Sequence, residues 1–238
     1  MSKLLYMNDA YLKFSQAEII ETGETAVILD QTPFYPGGGG QPSDKGRLVS
    51  EESSYQVRKV FKKQGRVWHE LEGGGPEAGD IVRAELDWER RYNLMRTHTA
   101  MHILCGVVWR DYQASVTGGN MEPLRGRMDF EFEHMQKELV DEIEEKINVE
   151  VAAARPIYIK TFPREEAFKI PDLIRTKINL LPEGIKEVRT VEIEGLDLQA
   201  DGGTHVANTS EVGTIKIVDY KSKGKINKRL VVSLEEVR

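Results

Sequence analysis

Cysteine is almost missing from this chain. Cys105 is the only one in 238 residues, so no intrachain disulfide can form, and a reducing, cytoplasmic setting suits the composition. No stretch approaches the roughly 20 apolar residues that a membrane-crossing helix needs. The opening MSKLLYMNDAYLKF has no long apolar core and no small-residue cleavage site, so a secretory leader is not expected. A basic excess is absent too. With 33 Lys and Arg against 39 Asp and Glu, the formal charge is −6, which argues against coating DNA or RNA by bulk charge but permits a local basic patch that binds one RNA. What remains is an ordinary globular composition, long enough for one large domain or two modest ones with cores of their own.

The first 88 residues read as β-rich. Short apolar runs at 17–30, 46–49, 55–62, 67–71 and 81–88 are separated by turn formers, including glycine clusters at 37–40 and 73–75. Strands at this spacing predict a small barrel or sandwich. From residue 89 the pattern changes. Helical periodicity predicts a long helix over 89–111 and a second, rich in Glu and Lys, over 134–154. Segments 129–132, 156–162, 188–193, 213–220 and 230–234 read as strands, with a short helix over 163–168 begun by a proline. The expected organisation is α+β, with a β domain over 1–88 and an α+β domain over 89–238.

The five histidines are unevenly placed. His98 and His102, in RTHTAMH, are four apart on the predicted long helix, so one face carries both imidazoles about one turn apart. That spacing lets two ring nitrogens converge on one ion, and equally suits two histidines bonded separately. Asp201-Gly-Gly-Thr-His205 supplies a carboxylate and a third imidazole, its glycines allowing the tight backbone path that brings the two side chains together. Alone it is also a plain turn in which Asp201 bonds loop amides. Together the two elements make a plausible zinc set of His98, His102, His205 and Asp201. Cys105 shares the helix face but lies a turn beyond the pair, and reads as a buried, inert thiol. His69 and His134 are assigned no role.

The segment TPFYPGGGGQ, residues 32–41, has neither the Gly-Lys-Ser/Thr ending of a phosphate loop nor dinucleotide-binding spacing. Its glycines allow close approach of backbone to another surface, and Thr32 and Gln41 offer hydrogen-bonding groups at its ends. Near the other terminus KSKGKINKR, residues 221–229, holds the cations Lys221, Lys223, Lys225, Lys228 and Arg229. It reads either as a solvated hairpin tip or as a contact to RNA phosphates.

In this order, TPFYPGGGGQ, RTHTAMH, DGGTHVANTSEVG and KSKGKINKR resemble the free-standing alanyl-tRNA editing proteins of the AlaX group, which are similar to the editing domain of alanyl-tRNA synthetases. The resemblance runs from residue 29 to 229. It implies a glycine-rich β-barrel-like domain followed by an α+β, zinc-bearing editing core. The implied activity is hydrolysis of tRNA(Ala) mischarged with serine, or with glycine. His98, His102 and His205 match the family's metal-binding histidines. The fourth position is commonly cysteine and here is Asp201, which leaves both a ligand and a loop-bracing reading for that residue. Gly37 stands where related chains often carry an acidic residue. Thr32 matches a threonine that recognises the hydroxyl of mischarged serine, so Thr32 and Gln41 are the candidate catalytic-site residues and the basic tail the candidate RNA contact. The rival expectations are a non-catalytic tRNA-binding module with structural zinc and a zinc hydrolase of a small acyl substrate.

Overall fold

A computed structural model describes residues 2–174 and 184–235. Within it the chain divides into two compact units, 1–93 and 94–238. The first opens with β1 (Lys3–Leu4), β2 (Phe14–Thr22), β3 (Ala26–Leu29) and β4 (Gln31–Thr32). It continues with β5 (Gly46–Val49), β6 (Ser54–Lys63), β7 (Arg66–Leu71) and β8 (Ile81–Leu86). Six of these close into an antiparallel barrel in the order β2-β3-β7-β6-β5-β8, and β1 pairs with β4 in parallel alongside. Closure leaves no barrel strand with an open edge.

The alternation of side chains explains the barrel interior. On β7, Val67, His69 and Leu71 are buried while the residues between them are partly exposed, as a period of two requires. The core they join includes Ile19, Leu29, Phe34, Leu48, Val57, Val60 and Val82. The apolar run expected as one strand over 17–30 is instead a hairpin, β2 and β3, because the chain turns at Gly23, whose N–H donates to the Ala26 carbonyl at 2.7 Å. Where β5 meets β8, a Cβ on Gly46 would lie 2.0 Å from the Glu85 carbonyl oxygen. Only glycine lets these two strands close.

The glycine-rich segment after β4 has a fixed shape. Gly37, Gly38, Gly39 and Gly40 have φ of 82°, 134°, 57° and 87°, all in the region that side-chain-bearing residues avoid. The turn is closed by Gly38 N–H to Gln41 O (3.0 Å) and Gln41 N–H to Gly38 O (2.9 Å). Its base is held by a fully buried ion pair between Asp44 and Arg91. The Arg91 guanidinium donates to both Asp44 carboxylate oxygens, to the Ala10 carbonyl (2.9 Å) and to the Pro33 carbonyl (2.6 Å). Asp44 in turn accepts from the Tyr35 N–H at 2.6 Å.

The unit boundary falls within α1 (Trp88–Tyr112), which leads into β9 (Val116–Glu122), β10 (Arg125–Glu131) and α2 (Lys137–Ala152). Then come β11 (Ile157–Pro163), α3 (Arg164–Ala167), β12 (Glu187–Ile193), β13 (Asp197–Ala200), β14 (Ile215–Ser222) and β15 (Asn227–Leu234). The second unit holds a four-stranded sheet, β14-β15-β10-β9, and a three-stranded sheet, β11-β12-β13. Val140, Ile143, Ile147 and Val151 form the buried stripe of α2, three to four residues apart. The helix covers edge strand β14: the Asn148 amide clasps both the N–H (2.9 Å) and the carbonyl (2.8 Å) of Ile215, and Glu144 accepts from Ile217 N–H at 2.7 Å. Among the described residues no helix is long and apolar enough to cross a membrane.

Losing one partner of the Asp44–Arg91 pair leaves the other charge buried and unpaired. Arg91→Leu is therefore expected to lower the free energy of unfolding by about 3–5 kcal/mol in urea titrations, against a far smaller change for a surface control such as Arg58→Leu, whose partner Glu72 is exposed. A small loss for Arg91→Leu would show that the glycine segment does not depend on this clamp.

Candidate metal centre

The middle of α1 is buried on every side. Leu94, Met95, Ala100, Met101, Ile103 and Leu104 are inside, and so are Arg96, Thr97, His98, Thr99 and His102. Polar groups survive there because they are bonded. Thr97 accepts from the Leu124 N–H (2.8 Å), and the Arg96 guanidinium donates to the Val212 carbonyl (2.9 Å). The Thr99 hydroxyl pairs with His205 Nδ1 (3.1 Å) and accepts from the Val206 N–H (3.3 Å), which ties α1 to the loop carrying His205.

That loop follows β13. The Asp201 carboxylate accepts from the Gly203 N–H at 2.6 Å, the turn geometry that an aspartate two residues ahead of a glycine readily forms. The Asp201 backbone is fixed on both sides, its N–H donating to the Arg189 carbonyl (3.1 Å) and its carbonyl accepting from Arg189 Nη1 (2.9 Å). The carboxylate that braces the loop also faces the imidazoles. Asp201 Oδ2 lies 3.2 Å from His205 Nε2, and Oδ1 lies 3.6 Å from His98 Nε2.

His98, His102, His205 and Asp201 each offer one ligand atom, and these atoms all lie within 4.8 Å of one another. The rings of His98 and His205 stack with centroids 4.2 Å apart, and His102 stands edge-on to both. A tetrahedral ion with bonds of about 2.0–2.1 Å holds its ligand atoms roughly 3.3 Å apart, so the widest-spaced groups would close by up to about 1.5 Å around one. Burial pushes His98 well below the usual imidazole range and His205 down to about 4, which keeps both neutral and able to ligate. Burial works to raise the Asp201 carboxyl, but its surroundings, the hydrogen bond with His205 among them, hold the group well below the ordinary carboxylate range. Three imidazole nitrogens and one carboxylate can hold a metal ion. Cys105 is buried outside this group and accepts from Gln199 Nε2 at 3.3 Å.

Two residues that no motif or spacing singles out have partners among the candidates. Asp197 Oδ2 accepts from His102 Nδ1 at 3.1 Å, and this carboxylate raises His102 against the lowering effect of burial. In the barrel unit, His69 faces Thr32. Its Nδ1 lies 3.3 Å from the Val27 carbonyl, which can only accept, so Nδ1 carries the proton and Nε2 accepts from the Thr32 hydroxyl at 2.8 Å. Thr32 Oγ1 also accepts from the Phe34 N–H (3.1 Å), which leaves it one acceptor lone pair and no donor. Burial lowers His69 to about 4, so the ring is neutral at physiological pH. Gln41, at the other end of the glycine turn, is buried.

The basic tail is the β14–β15 hairpin. Its cations differ in what they touch. Lys228 is buried, its ammonium donating to the carbonyls of Gly224 (2.9 Å) and Lys225 (3.0 Å). Arg229 grips Asp129 through two bonds of 2.7 and 2.8 Å. Lys221 pairs with Asp219 at the surface, and Lys223 and Lys225 are exposed.

A family model described as tRNA synthetases class II (A) matches residues 6–90. A second, described as Threonyl and Alanyl tRNA synthetase second additional domain, matches residues 188–231. The alanyl-tRNA editing protein AlaX-M of Methanosarcina barkeri is 38% identical over 241 residues, covering 98% of this chain and 99% of that protein. AlaX-M of Saccharolobus solfataricus is 37% identical over 240 residues, covering 99% of this chain and all of its own length. The alanine–tRNA ligase of Ignicoccus hospitalis is 37% identical over 226 residues, 92% of this chain but 24% of the ligase.

Proposed function

The chain belongs to the AlaX alanyl-tRNA editing proteins, aminoacyl-tRNA deacylases that hydrolyse mischarged tRNA, and from that premise we propose that it removes serine from tRNA(Ala) with zinc held by His98, His102, His205 and Asp201. The observation that carries the metal part is the packing of these four groups within 4.8 Å of one another. Nitrogen-rich sets with one carboxylate suit zinc better than the harder divalent ions.

The substrate is an activated ester, so little chemistry is required beyond placing water, reactant and charge. Zinc, when bound, supplies a Lewis acid that polarises a carbonyl or lowers the pKa of water toward about 7. The chain's own residues supply the rest. Burial of the imidazoles limits competing water and strengthens each polar contact made there. Arg189 holds the Asp201 loop in place, its guanidinium 3.9 Å from the carboxylate and donating to the Asp201 carbonyl at 2.9 Å.

Serine differs from alanine by one hydroxyl. Thr32 has already donated its proton to His69, so the lone pair it retains accepts a hydrogen bond and cannot give one. A serine hydroxyl donates to it, and an alanine methyl has nothing to offer. Gln41 completes the polar ends of the glycine turn whose shape the positive φ angles impose. On the tail, Lys221, Lys223 and Lys225 meet phosphates, while Lys228 and Arg229 hold the hairpin in the form that presents them.

The direct test is hydrolysis of Ser-tRNA(Ala) beside Ala-tRNA(Ala). The expected result is chelator-sensitive release of serine with alanine spared, and inertness toward both esters would overturn the proposal. Thr32→Val should cut the serine rate about tenfold and, by orphaning His69 Nε2 and the Phe34 N–H, also cost about 1–3 kcal/mol of stability. Thr32→Ser, which keeps the hydroxyl, separates the two effects and should retain most of the discrimination.

Changing Lys221, Lys223 and Lys225 together to Gln should flatten the salt dependence of tRNA binding, by about 0.7–0.9 in the log–log slope for each phosphate no longer neutralised. Lys228→Met should weaken binding by loosening the hairpin and leave the slope nearly as it is. An unchanged slope in the triple variant would remove the hairpin from the RNA interface.

A further inference from the structure

We propose that Asp197 is the residue that orients His102 for metal binding, fixing the ring so that Nε2 rather than Nδ1 faces the other ligands. The inference rests on the proposed metal site and adds to it a second carboxylate with a separate task.

Asp197 and Asp201 are four residues apart, yet they meet the imidazoles differently. Asp201 contributes a ligand atom to the cluster, and Asp197 does not. The Asp197 side chain has no exposed surface, and its Oδ2 lies 3.1 Å from His102 Nδ1. The two nitrogens of an imidazole point apart, so a carboxylate on Nδ1 leaves Nε2 as the atom offered to a metal. The carboxylate is itself held in place. Asp197 is the first residue of β13, in register with Ile193 of β12, and its Oδ2 also accepts from Gln199 Nε2 at 2.7 Å. Gln199 is anchored further by Cys105 Sγ at 3.3 Å, a contact that gives the buried thiol a place in the site.

His205 has the neutral counterpart of this arrangement, the Thr99 hydroxyl 3.1 Å from its Nδ1. On His102 the partner at Nδ1 is a carboxylate. A carboxylate that accepts from Nδ1–H settles the tautomer, stops the ring from turning about its bond to Cβ, and raises the basicity of the ligating nitrogen. Removing such a partner typically costs 10–100-fold in metal affinity. Asp197 is thus a positioning residue, touching neither metal nor substrate and acting through His102.

The experiment is zinc affinity of the full-length protein, by competition with a chromophoric chelator, for wild type, Asp197→Asn and Asp197→Leu, with metal-free melting curves for each. Asparagine can place an oxygen where Oδ2 sits, so Asp197→Asn should stay within about tenfold of wild type, while Asp197→Leu should lose about 10–100-fold. Wild-type affinity in Asp197→Leu would overturn the proposal. Equal losses in both variants would overturn it as well, since they would assign the effect to charge or packing rather than to the hydrogen bond. A wild type that binds no zinc would sink the metal reading itself, and this inference with it. Should the leucine variant fail to fold, the wild type still decides the matter. In the zinc-loaded protein a ¹H–¹⁵N spectrum should show a slowly exchanging proton on His102 Nδ1, and a proton on Nε2 instead would contradict the assignment.

Discussion

The second unit is organised around a desolvation problem. Three imidazoles and a carboxylate are packed within 4.8 Å of one another, away from water. Burying an ionised carboxylate costs several kcal/mol unless opposite charge and hydrogen bonds answer it. Asp201 is answered by the Gly203 N–H at 2.6 Å, by His205 at 3.2 Å and by Arg189 at 3.9 Å. A dication at the centre would answer it more fully. The surrounding elements hold these groups at close range. A helix turn spaces His98 and His102, the turn closed by Gly203 N–H on the Asp201 carboxylate leads on to His205, and β12 and β13 carry Arg189 and Asp197.

The barrel unit solves a similar problem with a different pair. Asp44 and Arg91 are both fully buried, and the guanidinium directs its remaining donors to the carbonyls of Ala10 and Pro33. This fixes both ends of a segment whose four glycines all adopt left-handed backbone angles. Such a segment would be the most mobile part of a chain if left untethered, because glycine gives up the most conformational freedom on ordering. Tethered, it becomes a rigid turn with Thr32 at one end and Gln41 at the other. The His69–Thr32 bond then decides what the threonine can do. Having given its proton away, its hydroxyl is restricted to accepting.

Local pattern makes much of this legible from sequence. The long helix, the i,i+4 histidines and the Asp201–His205 turn are short-range features, and period-two alternation reveals most strands. What stays hidden depends on contacts between distant residues. His102 and Asp197 are 95 residues apart, and Thr32 and His69 are 37 apart, so neither partnership leaves a spacing signal. Strand β9 is hard to see because Gly118 and Gly119 resemble a loop, although they pair with Asp129 and Met128 across the ladder. Lys228 is legible in principle. Alternation along β15 buries residues 228, 230, 232 and 234, which puts this lysine on the inner face, but a run of cations draws attention to charge before periodicity.

With Asp201 as its fourth member, the proposed centre is tested most directly at the metal's coordination shell, by X-ray absorption at the zinc edge of the purified protein. The expected shell is nitrogen and oxygen only, near 2.0–2.1 Å, with the outer scattering of three imidazoles. A sulfur neighbour near 2.3 Å would place Cys105 among the ligands, and fewer than three imidazoles would break the proposed set. Either result would contradict a centre built from His98, His102, His205 and Asp201.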